Sequence, residues 1–280
     1  MTLFHIKNNR IRAIFFVFLI ISMLMMSSCE YKRNTSDPED PAGSQSGENE
    51  TPDPDGVVEP PKVSGDPSSQ QGSVPPSEKP AGPDLSEREA VSDDFFSDAA
   101  FMGNSLMDGF RMFSGLTTCD YYAATSMTVA GAASKDCITL QDGSKGTLID
   151  GLMQKSYGKI YILLGINEIG YEVQTFIDLY AKMLDTIIEG QPDCDIYIMG
   201  LTPVSSAKSA SSDTFNMTRI KEYNTALHQL AADKGCYYID LVSALAGDDG
   251  YLPANETTDG VHFSAEVYKT WLNYIKTHYA

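Results

Sequence analysis

The sequence predicts an α/β domain, a parallel sheet covered by helices on both faces, preceded by a long segment that does not fold with it. Two observations carry this. From about residue 91 onward, short apolar runs of Ile, Tyr, Leu and Met alternate with longer stretches whose apolar residues recur every three or four positions, the patterns of buried parallel strands and of amphipathic helices. Before that point the composition changes: 11 of the 14 prolines fall between Pro38 and Pro83, a stretch with no Phe, Trp or Tyr. Such a chain cannot bury enough apolar surface to offset its ordering entropy. The remainder, roughly 190 residues, is a suitable length for one domain with a full core.

Taken in chain order, residues 1–28 read as an export signal. Lys7, Arg10 and Arg12 give a charged start, and Ala13–Met26 is an apolar run broken only by Ser22, short for a permanent membrane span and suited to a signal peptide. Met26-Ser27-Ser28-Cys29 follows and resembles the lipobox of bacterial lipoproteins, with Met26 where Leu is usual. The resemblance implies cleavage before Cys29, lipid on that cysteine, and a protein held on the outer face of the cell membrane. The residues alone also allow an uncleaved helix with an incidental cysteine. Residues 29–90 read as a disordered tether rich in Pro, Ser, Gly, Asp and Glu, with a spacer role.

The domain over residues 91–280 opens with a strand at Ala99–Gly103, ending at Asn104-Ser105. Lys159–Leu164 and Asp195–Met199 are strands stopped by Gly165 and Gly200, and Tyr237–Leu241 completes the set. Between them, Val173–Glu189 carries an apolar stripe of Phe176, Leu179, Tyr180, Met183 and Ile187, and Met217–Lys234 one of Ile220, Tyr223, Leu227 and Leu230. Ser264 is placed to cap a last helix whose Val267, Trp271, Leu272 and Ile275 face inward. Strands alternating with helices of this length make βαβ units, and in such sheets sites gather beyond the carboxyl ends of the strands.

Three segments there carry chemistry. Gly103-Asn104-Ser105 puts a serine on a strand-to-helix turn, Gly165-Ile166-Asn167-Glu168 puts an amide after another strand, and Asp259-Gly260-Val261-His262 spaces a carboxylate and an imidazole so that one can hold the other. Each alone is equally a turn or a cap. Together, in this order, they resemble the SGNH (GDSL-type) hydrolase superfamily over the whole ordered domain. The resemblance implies a three-layer α/β/α sandwich on a five-stranded parallel sheet, flavodoxin-like in build. It implies Ser105 as nucleophile, His262 as base and Asp259 as the residue orienting it. The oxyanion hole would be made by Ser105, Gly131 and Asn167. Asn104 and Glu168 stand where the family has aspartates.

That chemistry is serine esterase chemistry and calls for no metal and no cofactor. The substrate expected is a small acyl ester, in the first place O-acetyl on carbohydrate or cell-wall polymer, with Tyr121, Tyr122, Tyr171 and Tyr251 on loops where they could stack on sugar rings. A lipase or lysophospholipase, an O-acetyltransferase using the same residues, and a non-catalytic carbohydrate-binding protein are the alternatives. The net charge of −18 divides into +3 for residues 1–28, −9 for 30–90 and −12 for 91–280, which argues against nucleic acid as partner. Cys119, Cys137, Cys194 and Cys236 lack metal-site spacing and read either as disulfides or as buried thiols. A monomer is expected.

Overall fold

The computed structural model describes residues 83–280; the signal, Cys29 and most of the tether lie outside the described residues. Five strands pair in parallel in the order β2-β1-β5-β6-β7: β1 (Ala99–Gly103), β2 (Asp120–Ala123), β5 (Lys159–Leu163), β6 (Asp195–Met199) and β7 (Tyr237–Ile239). A two-stranded ribbon, β3 (Ile138–Thr139) with β4 (Lys145–Gly146), stands apart. The helices are α1 (Ser105–Phe113), α2 (Val129–Ala132), α3 (Leu148–Leu152), α4 (Val173–Gly190), α5 (Ser206–Ser211), α6 (Met217–Lys234), α7 (Leu241–Leu245) and α8 (Ala265–Thr277).

Strand alternation sorts the sheet into two faces. On one, Tyr121, Phe101, Tyr161, Tyr197 and Tyr237 lie side by side in register across all five strands, with successive ring centroids 5.5, 4.6, 4.4 and 5.1 Å apart. Phe110 of α1 stacks on Phe101, and Trp271 of α8 meets Phe110 at 4.6 Å, so these helices cover that face. The other face presents Met102, Ile162, Ile198 and Tyr238 and is covered by α6, whose His228 ring stands edge-on to Tyr238 at 5.2 Å. Phe176 of α4 stacks on Tyr223 of α6 at 4.7 Å.

Helices α1 and α8 approach closely because Gly109 has no side chain. A Cβ there would lie 2.1 Å from the Tyr268 hydroxyl oxygen. The contact sets the distance between the helix that begins at Ser105 and the helix that follows His262.

Three expectations need correction. Tyr121 and Tyr122 form the edge strand β2 instead of a loop; the strand has only 4 residues and opens on Asp120, which leaves too short an apolar run to be read as a strand. Their hydroxyls are taken, Tyr121 donating to the Leu116 carbonyl at 3.0 Å and Tyr122 pairing with Tyr157 at 2.6 Å. Residues 83–90, read as tether, belong to the domain: Tyr238 N–H donates to the Pro83 carbonyl and Arg88 N–H to the Thr277 carbonyl, both at 2.8 Å. Backbone pairing of Pro83 and Asp84 with β7, and of Glu87 and Arg88 with the chain at the end of α8, outweighs their polar composition. Ser264 occupies the N-cap position, but its hydroxyl donates to the Glu256 carboxylate. Of the cysteine alternatives, Cys194 and Cys236 are buried and no disulfide joins any two of the four.

Tyr161, flanked by two stacked rings and without exposed surface, should cost about 3–5 kcal/mol of unfolding free energy when changed to Ala. Gly109→Ala should cost about 1–3 kcal/mol by overpacking. Met112→Ala, at a 53% exposed position, should stay within about 0.5 kcal/mol. Urea unfolding of the three variants checks the order.

Candidate active site

Strands β1 and β5 are neighbours, but the chain leaves them in opposite directions, β1 leading outward to β2 and β5 leading to β6. The crevice between them is the switch point at which open α/β sheets bind ligands. Ser105 leaves β1 there as the first residue of α1. Asn104 is its N-cap, fully buried, with Oδ1 accepting the Leu106 N–H at 2.9 Å. An amide oxygen therefore performs the capping that an aspartate would perform at this position. The Ser105 N–H is left at the open first turn, where helix dipole and unpaired donors favour negative charge.

The base arrives from the far end of the chain. The Ser105 hydroxyl lies 3.0 Å from His262 Nε2, and His262 Nδ1 lies 2.7 Å from Asp259 Oδ2. The other oxygen of Asp259 accepts the backbone N–H groups of Val261 and His262 at 2.9 and 2.8 Å. This compact turn depends on Gly260, whose φ is +84° and whose carbonyl accepts the Ser205 N–H at 2.9 Å. Partial burial acts to raise the Asp259 carboxyl, but the bonds from the His262 ring and from the two backbone N–H groups outweigh it and hold the carboxyl well below its ordinary value. Asp259 is thus ionised at neutral pH, and it fixes the ring with Nε2 toward the serine.

Across the crevice, the loop between β2 and α2 comes beside β1, with the Ala124 N–H on the Gly103 carbonyl at 3.3 Å. Asn167 reaches over from the turn after β5 and donates to the Met127 carbonyl at 2.8 Å. This uses one of its two amide hydrogens and leaves the second for a substrate oxygen. Gly131 does not fit the donor role expected of it: its N–H is committed to the Thr128 hydroxyl at 3.0 Å, the N-cap bond of α2. The cap was not visible beforehand because nothing in Thr128-Val129-Ala130-Gly131 announces so short a helix.

Ser126, in the same loop, has a φ of +58° and is the only non-glycine residue with positive φ among those described. The described residues contain no group of three or more side chains that could hold a metal.

Residues 101–270 match the model of the GDSL-like lipase/acylhydrolase family. The chain belongs to this family. It is accordingly an ester-hydrolysing serine hydrolase on the SGNH fold. A search of curated proteins finds no match.

Among solved structures, a Streptococcus pneumonia protein provisionally described as a platelet activating factor is similar at 17% identity, covering 66% of this chain and 87% of its own, with TM-score 0.52. A GDSL-like lipase from Bacteroides thetaiotaomicron is 15% identical over 64% of this chain and 86% of its own, TM-score 0.48. An acetylxylan esterase from Geobacillus stearothermophilus is 14% identical over 63% and 91%, TM-score 0.46.

Sequence reading missed the scaffold behind the family site. Tyr223 and Arg219 of α6 hold the loop after β5 through the Glu168, Ile169 and Tyr171 carbonyls, and Asn224 pairs with both backbone groups of Leu201 at 2.6 and 2.9 Å. These polar residues sit on an otherwise ordinary helix face, and their partners are backbone groups that leave no trace in sequence.

The Asp259 shift has a sign that can be tested. Because folding lowers this carboxyl's pKa, its contribution to stability is complete above the unfolded value, near about 4, and is lost as pH falls through the lower folded value. The stability deficit of Asp259→Asn should therefore be constant at neutral pH and shrink below about pH 4. In esterase assays the same variant should lower the alkaline plateau by up to about 10,000-fold, as loss of the orienting carboxylate does in serine-protease triads. Thermal melts and pH–rate profiles on the two proteins supply both readings.

Proposed function

We propose that this acylhydrolase removes small acyl groups, O-acetyl foremost, from carbohydrate or cell-wall polymer, working on the outer face of the cell membrane to which Cys29 ties it by lipid. The observation that carries the catalytic part is the unbroken relay Ser105–His262–Asp259, with links of 3.0 and 2.7 Å. His262 Nε2 takes the Ser105 proton as the hydroxyl oxygen attacks the ester carbonyl. The oxyanion that forms is met by the Ser105 N–H and the second hydrogen of the Asn167 amide; one such donor is worth roughly 100- to 1,000-fold in rate. His262 then returns the proton to the leaving alcohol, the acyl group stays on Ser105, and water repeats the sequence to release the acid.

The openness of the relay supports a small acyl group on a large, hydrated alcohol. The His262 and Asp259 side chains are 51% and 47% exposed, which leaves room beside the base for a polymer chain. A long acyl tail would need an apolar trench to bury it. The lipobox-like Met26-Ser27-Ser28-Cys29 and the acidic, proline-rich segment after it support the anchored location, giving the enzyme reach over a surface. Tyr171, 48% exposed just beyond Asn167, is suited to stack on a sugar ring.

Wild-type protein should turn over p-nitrophenyl acetate faster than octanoate or palmitate esters and release acetate from acetylated xylan or peptidoglycan. Ser105→Ala should abolish turnover and fluorophosphonate labelling with an unchanged far-UV spectrum. Preference for long acyl chains would overturn the substrate reading, and full activity in Ser105→Ala would overturn the mechanism. For the location, cells should hold the protein in the membrane fraction, and Cys29→Ala should release it; a mature protein that still begins at Met1 would refute the lipid anchor.

A further inference from the structure

Glu168 is the only buried carboxylate among the described residues, with no exposed surface. Burying such a group is costly unless it is paired. Its Oε1 accepts the N–H of Val129, while Oε2 has no partner among the described residues. Its neighbour Asn167 donates to the Met127 carbonyl at 2.8 Å. Two consecutive side chains from the turn after β5 thus grip the loop that enters α2 on either side of Thr128.

The turn carrying them is itself held. Glu168 N–H donates to the Gly165 carbonyl at 3.0 Å. The Tyr223 hydroxyl binds the Glu168 and Tyr171 carbonyls at 2.5 and 2.8 Å, and the Arg219 guanidinium binds the Ile169 and Tyr171 carbonyls at 3.2 and 2.5 Å.

We infer that Glu168 is a positioning residue for acyl transfer: by fixing Val129 it fixes the Met127 carbonyl, and that carbonyl orients the Asn167 amide toward the developing oxyanion. The inference rests on the esterase reading above. A carboxylate without a second partner is a poor choice for holding a fold together, since an apolar side chain would fill the space at less cost. An acceptor aimed at the first N–H of α2 is what aligning that loop requires. Glu168 acts through Asn167 and does not itself touch substrate.

Two variants remove the bond from opposite sides. Glu168→Leu removes the acceptor at similar volume. Val129→Pro removes the donor at the first position of a helix, where proline is well tolerated; the preceding Thr128 is already extended, with φ −108° and ψ 165°, as a residue before proline must be.

With p-nitrophenyl acetate, each should lower kcat by about 100-fold while KM stays within about threefold. Glu168→Gln, which keeps an oxygen for the Val129 N–H, should recover most of the rate. In an Asn167→Ala background neither variant should cause much further loss, because both act through that amide. Wild-type kcat in Val129→Pro or Glu168→Leu, or losses that multiply independently on Asn167→Ala, would overturn the inference while leaving the esterase intact. No turnover and no fluorophosphonate labelling in the wild type would instead bring down the esterase reading and this one with it. Val129→Pro keeps the test decisive should Glu168→Leu not fold.

Discussion

The register of the five parallel strands is the constraint on which the rest of this protein depends. The row Tyr121–Phe101–Tyr161–Tyr197–Tyr237 runs across the sheet in one line. A slip of one residue in β1, β5 or β6 would turn its aromatic ring to the opposite face and bring a non-aromatic side chain into the row. Stacked aromatic pairs add about 0.5–1.5 kcal/mol each beyond the area they bury, so the aligned pairing is favoured over its neighbours. With the rows aligned, Ala123, Gly103, Leu163, Met199 and Ile239 end the strands at a common level. The loops bearing Ser105 and Asn167 therefore leave the sheet side by side.

The strands bring in only half of the site. His262 belongs to no strand, and it reaches Ser105 because α8, which follows it, packs against α1, which begins at the serine. The absent side chain at Gly109, the Tyr268 ring above it and the Phe110–Trp271 contact set that spacing. A shift of about 1 Å between such groups can cost on the order of 100-fold in rate. The same contacts that close the core on this face thus govern the geometry of proton transfer, and a substitution at Gly109 would affect both.

On the opposite side of the crevice the control is polar. Arg219, Tyr223 and Asn224 project from one stretch of α6 and bind backbone carbonyls and N–H groups of the loops after β5 and β6. Loops at strand ends lack ladder partners, and unmet backbone groups near a buried crevice are costly. Side chains from a rigid helix meet that need and hold Asn167 and Glu168 in place without closing the crevice to substrate.

What the sequence determined by itself is the set of elements and the chemistry they carry. Near-continuous apolar runs marked β1, β5, β6 and β7, and the stripes on α4, α6 and α8 marked the helices, because burial on two faces or on one is written in residue periodicity. The spacing of Asp259 and His262 and the strand-end places of Ser105 and Asn167 were legible for the same local reason. Tertiary structure decided everything that needed a distant partner. It made an edge strand of Tyr121 and Tyr122, drew residues 83–90 onto the edge of β7 and the end of α8, took the Gly131 N–H for the Thr128 cap, and turned Glu168 from a departure in a motif into a bond across the crevice. Each of these rests on a hydrogen bond or packing contact whose partner lies outside any pattern that residue order records.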